Sequence, residues 1–133
     1  LKGVWLCMQA EIRQMLKQGG GCIVNMASAT SRNTYPNASP YVTSKFAVAG
    51  LTRTVAVEYA DRDIRINAIC PGNVATPLVV SLVEDLSVLA TKHAIKRLGT
   101  PEEVANGVMF LASDLSSFST GSLLEVDGGW NAI

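Results

Sequence analysis

The sequence predicts an α/β fold built around a parallel sheet. Three short apolar segments are typical of strands, and helical patterns of about a dozen residues or more separate them. Strands that alternate with helices of this length join through right-handed crossovers, which make the strands parallel and cover both faces of the sheet. We therefore predict a doubly wound parallel sheet that binds ligands beyond the carboxyl ends of its strands.

The first predicted helix is amphipathic and ends at a run of glycines, residues 19–21. Its apolar side chains fall on one face, at Val4, Trp5, Met8, Ile12, Met15 and Leu16. Residues 22–27 are apolar and are bounded by glycine and by Ser28, which is typical of a buried strand. A loop rich in Ser, Thr, Asn and Pro follows over residues 28–40.

The second predicted helix runs from Tyr41 to about Asp61, on the spacing of its apolar positions. Residues 64–69 alternate and then become apolar, which predicts a second strand that ends at the turn Pro71-Gly72. Residues 76–94 read as a moderately polar helical insertion with weak boundaries.

The last predicted helix has a well-marked start. Thr100 can cap it, Pro101 fits its first turn, and Glu103 completes a capping box. The helix runs to about Ala112. Residues 123–126 then form the last strand, and Asp127-Gly128-Gly129 is a strand-end turn rather than a set of metal ligands.

Composition excludes several classes of function. The 133 residues include 11 basic and 11 acidic side chains, and this balance argues against a nucleic-acid partner, which needs a basic excess. No window reaches the roughly 18 apolar residues of a membrane span, and we expect no secretory leader. The three cysteines are far apart and have no CxxC spacing. We expect reduced thiols in a cytoplasmic protein, with Cys22 and Cys70 buried on strands and unreactive.

His93 is the only histidine, which excludes a multi-histidine metal site, and we expect no metal. It lies in the polar insertion, so we expect it to be a solvated surface residue, with contact to a substrate as the alternative.

Tyr41 and Lys45 are four residues apart at the start of a helix, so both project from one face. A nearby ammonium and the helix N-terminus both favour the phenolate form of a tyrosine, which can then exchange a proton with an alcohol during hydride chemistry. Ser28 closes the preceding strand and can place its hydroxyl beside Tyr41. Each residue alone has an ordinary structural explanation, and the combination points to catalysis.

These residues and four further segments resemble the short-chain dehydrogenase/reductase family. The family pattern has a serine thirteen residues before Tyr-x-x-x-Lys, and Ser28, Tyr41 and Lys45 match it. The matching segments, which cover essentially the whole chain, are Asn25-Met26-Ala27-Ser28, Tyr41-Val42-Thr43-Ser44-Lys45, residues 67–77, residues 97–105, and residues 118–121 with 127–129.

The resemblance implies a Rossmann-like fold and an NAD- or NADP-dependent oxidoreductase that interconverts a secondary alcohol and a carbonyl compound. Tyr41 would be the general acid/base, Lys45 would assist it and bind the nicotinamide ribose, and Ser28 would orient the substrate oxygen. The cofactor would also contact Pro71, Gly72, Val74 and Thr76. The implied partners are a small-molecule substrate and further copies of the chain, in a dimer or tetramer.

The chain also departs from the family pattern. Nothing reads as the glycine-rich dinucleotide fingerprint, and the family's catalytic asparagine would lie immediately before Leu1. We therefore expect residues 1–133 to be a single partial domain, the C-terminal half of an incomplete Rossmann-like sheet whose nucleotide-binding half is missing. Ser31 and Thr34 stand where glycine is frequent, and we expect them to reshape the substrate loop.

Two hypotheses follow. In the first, the chain is the catalytic half of an oxidoreductase. In the second, it is a truncated, inactive fragment that acts at most through self-association. The apolar stripe of the first helix has two open explanations, which are core packing and a helix-bundle interface within a homotetramer.

Overall fold

The computed structural model describes all residues from Leu1 to Ile133. Three strands alternate with helices, as the sequence predicts. In chain order the elements are α1 (Lys2–Gln18), β1 (Gly21–Met26), α2 (Ser39–Tyr59), β2 (Ile64–Pro71), α3 (Pro77–Leu82), α4 (Leu86–Ala90), α5 (Pro101–Ala112) and β3 (Leu123–Val126). The predicted insertion over residues 76–94 contains two short helices, α3 and α4, rather than one.

The sheet is parallel throughout, in the order β1-β2-β3. Gly21 pairs with Ile64, and Ala68 pairs with Leu123. The carboxyl ends of all three strands therefore lie at one end of the sheet. The segments that follow them, after Met26, Pro71 and Val126, meet there and form the region where the sequence predicts ligand binding.

Helices cover both faces of the sheet. Ile64 and Ile66 of β2 pack in one buried cluster with Met8 and Ile12 of α1 and with Val55 of α2. The alternate side chains of β2 point to the opposite face. On that face α5 packs closely, because a Cβ placed on Gly107 would lie 2.5 Å from Cδ1 of Ile69. The predicted doubly wound arrangement is confirmed.

Specific backbone and side-chain contacts fix the end of α1 and both ends of α5. Gly19 ends α1 with φ 84°, a left-handed conformation that glycine adopts without strain. The capping box at the start of α5 is present, with Thr100 Oγ1 accepting from the Glu103 N–H and the Glu103 carboxylate accepting from the Thr100 N–H. Arg65 of β2 reaches the other end of α5, where it donates to the carbonyl oxygens of Leu111 and Ser113, each at 3.0 Å.

Cys22 and Cys70 lie on strands, as predicted. Cys70 is buried, but Cys22 is only half-buried, which corrects the prediction for that residue. Its Sγ lies 3.3 Å from the carbonyl oxygen of Leu111, at the end of α5. Burial raises the pKa of both thiols. No helix in the structure combines the length and the apolar character that crossing a membrane would require.

Candidate active site

Ser28 is buried directly after β1 and begins a short helical turn. Its Oγ accepts hydrogen bonds from the Thr30 N–H at 3.2 Å and from the Thr30 hydroxyl at 3.0 Å. A serine hydroxyl has one proton to donate, and the proton of Ser28 has no acceptor within the chain. Ser28 therefore presents a free donor that its neighbours hold in position.

Tyr41 and Lys45 lie in the first two turns of α2 and share one face of it, as predicted. Nζ of Lys45 donates to the carbonyl oxygen of Met26, the last residue of β1, at 2.9 Å. The same ammonium lies 5.7 Å from the centre of the Tyr41 ring. The sheet thus holds the cation beside the tyrosine, whose hydroxyl has no hydrogen-bond partner within the chain.

Ser28 and Tyr41 line one cavity of about 410 Å³ at the carboxyl end of the sheet. Gly72, Val74 and Thr76 line the same cavity, so the structure brings together five of the seven residues that the sequence singles out. Lys45 does not line the cavity itself, but its ammonium lies 5.7 Å from the centre of the Tyr41 ring, which does. Pro71 is the last residue of β2, paired with Val126, and does not line the cavity.

The turn after β2 is firmly held. The Gly72 N–H donates to the carbonyl oxygen of Val126 at 3.1 Å, and Val74 forms an isolated bridge with Gly99. Thr76 caps α3 by accepting from the Val79 N–H at 3.3 Å, which leaves its hydroxyl proton free. These contacts fix the turn as a rigid wall of the cavity.

The side-chain amide of Asn73 lies at the centre of this turn. Its Nδ2 is buried and has no hydrogen-bond partner, although Asn73 itself lines the cavity. A buried donor without a partner costs free energy, and such donors in a cavity are satisfied when a ligand supplies an acceptor.

The surface position expected for His93 is wrong. The side chain is 1% exposed and is packed between the turn after β2 and the turn after β3. Its ring faces the Asn73 N–H, which donates to Nε2 at 3.3 Å. Trp130 packs edge-on against it, with 5.5 Å between ring centres. The polar sequence around His93 does not signal that its ring is buried, because its hydrogen-bond partners are backbone groups of distant segments.

The turn after β3 has the predicted form. Gly128 and Gly129 have φ values of 59° and 79°, and the Asp127 carboxylate accepts from the N–H groups of Gly129 and Asn131, each at 2.9 Å. The carboxylate therefore serves to fold the turn.

The loop between β1 and α2 is held to the helix by Ser31, one of the two residues that stand where the family often has glycine. Ser31 is buried, and its hydroxyl donates to the carbonyl oxygen of Lys45 at 3.0 Å. Thr34 lies further along the loop, where its N–H donates to the side chain of Asn33.

The mouth of the cavity contains a cluster that the sequence does not predict. Nζ of Lys92 lies 5.4 Å from the centre of the Tyr35 ring and 5.5 Å from that of Trp130. Leucines of α3 and α4 form the adjoining wall. Ser28 and Tyr41 come from a strand end and a long helix, whereas the cation, the two aromatic rings and the leucines come from loops and short helices. No spacing in the sequence links Tyr35, Lys92 and Trp130.

Comparison with known proteins shows the family of the chain. Residues 1–131 match the family model described as enoyl-(acyl carrier protein) reductase. The chain belongs to the short-chain dehydrogenase/reductase family. Its relatives in that family include the cis-4-hydroxycyclohexanecarboxylate dehydrogenase of Sinomonas cyclohexanicum, 46% identical across all of this chain and 54% of the relative. The cyclohexanol dehydrogenase of Acinetobacter sp. (strain SE19) is also 46% identical, over 99% of this chain and 52% of the relative.

Solved short-chain dehydrogenase/reductase structures have the same fold. ElxO with NADP bound superposes with a TM-score of 0.94 and is 36% identical, covering 98% of this chain and 54% of its own. The gluconate 5-dehydrogenase from Burkholderia cenocepacia J2315, in complex with NADP and tartrate, gives a TM-score of 0.95 at 34% identity, over 100% and 53% of the two chains. The chain thus spans about half the length of the family members that it matches, and its sheet is part of a Rossmann-like fold.

Proposed function

We propose that the protein to which this chain belongs is an NAD- or NADP-dependent oxidoreductase that interconverts a secondary alcohol and a carbonyl compound. The observation that carries the proposal is the shared cavity of Ser28 and Tyr41, with Lys45 held beside the tyrosine. The names of two relatives support the direction of the proposal, because both are dehydrogenases of small cyclic alcohols. Residues 1–133 would form one part of its catalytic domain.

The turn after β2 fits a nicotinamide cofactor. Glycine at position 72 is required by the close packing of this turn, since a Cβ there would lie 2.5 Å from Cε1 of His93 and 3.0 Å from Cα of Asp127. The unpartnered Asn73 amide and the free Thr76 proton are donors suited to polar groups of the cofactor, such as its carboxamide. Val74 and Thr76 would contact the nicotinamide, Pro71 and Gly72 would shape the turn, and Lys45 and Tyr41 would bind the adjoining ribose. When bound, the cofactor would supply the hydride acceptor for oxidation and the hydride donor for reduction.

Proton transfer is the task of Tyr41. In the oxidative direction its phenolate oxygen would take the proton of the substrate hydroxyl as hydride leaves the carbinol carbon, and the C–O bond becomes a carbonyl. In the reductive direction the tyrosine returns that proton to the oxygen. The Lys45 ammonium stabilises the phenolate, and the Met26 carbonyl holds the ammonium in place. This is general acid–base catalysis with a positioned cation, and it needs no metal.

Ser28 would position the substrate oxygen. Because its Oγ already accepts two hydrogen bonds from Thr30, its own proton is directed away from that residue. A donor held in this way would bind the oxygen atom as negative charge develops on it.

The variant Tyr41→Phe tests the proposal in the full-length protein. It should lower kcat by roughly 10²–10⁴-fold, the usual contribution of a general acid–base group, while cofactor affinity falls little, because Lys45 and the turn after β2 keep their contacts. Tyr59→Phe is the matched control, because Tyr59 ends α2 far along the helix and packs against the buried cluster. Ser28→Ala should also lower kcat. Undiminished turnover in Tyr41→Phe would overturn the proposal.

We also propose that the protein self-associates and acts in the cytoplasm. Met8 and Ile12 of the apolar stripe on α1 are buried in the core, but Trp5 and Leu16 of the same stripe remain 44% and 42% exposed. These two line a shallow groove between α1 and α2, which a second copy could cover in a dimer or tetramer. The three free thiols favour a reducing compartment.

A further inference from the structure

Lys92 is the only formally charged side chain in the lining of the cavity. The other lining residues are apolar, aromatic, hydroxyl- or amide-bearing, or glycine, and no carboxylate is among them. A cation in such a wall has no internal partner. Any anion that enters the cavity therefore meets an attractive charge and no opposing one.

Lys92 is an exposed residue, and its ammonium lies against two aromatic rings. It lies over the faces of both Tyr35 and Trp130, at 5.4 Å and 5.5 Å from their ring centres, within the usual reach of a cation–π contact. It forms no salt bridge, and its three N–H groups donate to no atom of the chain. Two aromatic faces thus position a cation whose hydrogen-bonding capacity is unused.

The wall beside this cation is hydrocarbon. Leu78, Val79 and Leu82 of α3 and Leu89 of α4 line the cavity, and Leu78 and Leu82 are 67% and 73% exposed. Burying such side chains against a hydrocarbon ligand is favourable, at about 25 cal/mol for each Å² of apolar surface. The cavity therefore combines hydroxyl groups, an apolar wall and a positioned cation.

We propose that the substrate is a secondary alcohol, or the matching ketone, on a small hydrocarbon ring or short chain that also carries a carboxylate, with Lys92 binding the carboxylate. This inference rests on the proposed function for the place of the reacting hydroxyl at Ser28 and Tyr41. The carboxylate subsite rests on Lys92, Tyr35 and Trp130 and is tested separately. A charge-assisted hydrogen bond to an ammonium is stronger than a neutral one, so the anion adds affinity as well as orientation.

The subsite is tested by binding, without any turnover. The probes are cyclohexanecarboxylate and cyclohexanecarboxamide, which share a ring and differ in charge, titrated calorimetrically into the full-length protein saturated with its cofactor. Wild type should bind the carboxylate about tenfold more tightly than the amide, or better, and the preference should weaken as salt is added.

Three variants complete the binding test. Lys92→Met keeps the stem of the side chain and should bring the two affinities together, and Lys92→Arg should keep the preference. Lys96→Met removes a cation from the same segment but outside the cavity, and it should leave the preference unchanged. Equal affinities in wild type, no binding of either probe, or an unchanged preference in Lys92→Met would each overturn the subsite.

Turnover then separates this proposal from the proposed function. With 4-hydroxycyclohexanecarboxylate and its carboxamide, Lys92→Met should lower kcat/KM about tenfold or more for the acid and little for the amide. Tyr41→Phe should lower kcat for both by roughly 10²–10⁴-fold. The two proposals can fail separately. If wild type prefers the carboxylate in binding but Tyr41→Phe still turns over the acid and the amide, the carboxylate subsite is supported and the proposed chemistry is overturned.

Discussion

The ring of His93 is hydrogen-bonded to the backbone of Asp127, with 2.6 Å between Nδ1 and the carbonyl oxygen. A carbonyl oxygen can only accept, so Nδ1 carries the proton. Nε2 is then the acceptor that the Asn73 N–H requires. The neutral imidazole thus joins the turn after β2 to the turn after β3, and these two turns form adjoining walls at the carboxyl end of the sheet.

Replacing His93 should destabilise the protein. His93→Ala leaves the Asn73 N–H without a partner, removes one of the two hydrogen bonds to the Asp127 carbonyl oxygen and opens a cavity, which should lower the free energy of unfolding by about 2–4 kcal/mol. Urea denaturation of the full-length protein measures the loss. Val57→Ala, at a helix position that is 80% exposed, should change it little. An equal loss in both variants would contradict the structural role of the imidazole.

Two glycines in helix interiors should respond oppositely to alanine. A Cβ on Gly107 would lie 2.5 Å from Cδ1 of Ile69 and 3.1 Å from Cγ2 of Val126, so Gly107→Ala should push α5 off the sheet and cost about 1–3 kcal/mol. A Cβ on Gly50 would meet nothing within 4 Å. Gly50→Ala should therefore stabilise the protein by up to about 1 kcal/mol. Thermal unfolding of the two variants side by side checks the contrast, and a stabilising Gly107→Ala would contradict the packing.

Glu103 should contribute to stability against acid. Hydrogen bonds from Arg97 lower the pKa of its carboxyl to about 2. Since the folded pKa lies below the unfolded value of about 4.3, the contribution is complete above pH 4.3 and is lost as the pH falls towards 2. Unfolding free energy measured across that window should fall less steeply in Glu103→Gln. The neighbouring Glu102 forms no ion pair, and Glu102→Gln should follow wild type.

The three cysteines should differ in their rate of alkylation. Cys7 is exposed and should react with iodoacetamide in the native protein. Burial raises the pKa of the Cys70 and Cys22 thiols, which lowers the thiolate fraction, and Cys70 is also inaccessible. The expected order is Cys7, then Cys22, then Cys70, with all three equal in urea. Peptide mapping by mass spectrometry gives the order, and rapid native labelling of Cys70 would contradict it.

The architecture was predictable because local signals agree with it. The glycine run ends α1, the apolar segments form the strands, and Thr100 with Glu103 starts α5, all within about two residues of the predicted bounds. Ser28 and Tyr41 could be placed in one cavity because the topology fixes which strand ends meet. These features depend on chain neighbours or on the rules of parallel sheets.

The surroundings of the site were less predictable. His93 is buried because Asn73 and Asp127, twenty and thirty-four residues away, supply backbone partners, and no local pattern signals them. The contacts of Lys92 with Tyr35 and Trp130 likewise join three separate segments. Weak periodicity over residues 76–94 also concealed the break between α3 and α4. Tertiary contacts, rather than propensity, decide such positions.

The two walls of the cavity have separate origins, and this bears on how the protein can evolve. Ser28 and Tyr41 are anchored by β1 and α2, whereas Leu78, Leu82 and Lys92 belong to short helices and a loop that contribute little to the buried core. Mutations in the second group can accumulate at small cost to folding. After gene duplication, one copy can therefore acquire a new specificity through residues 78–92 while inheriting its reaction chemistry unchanged.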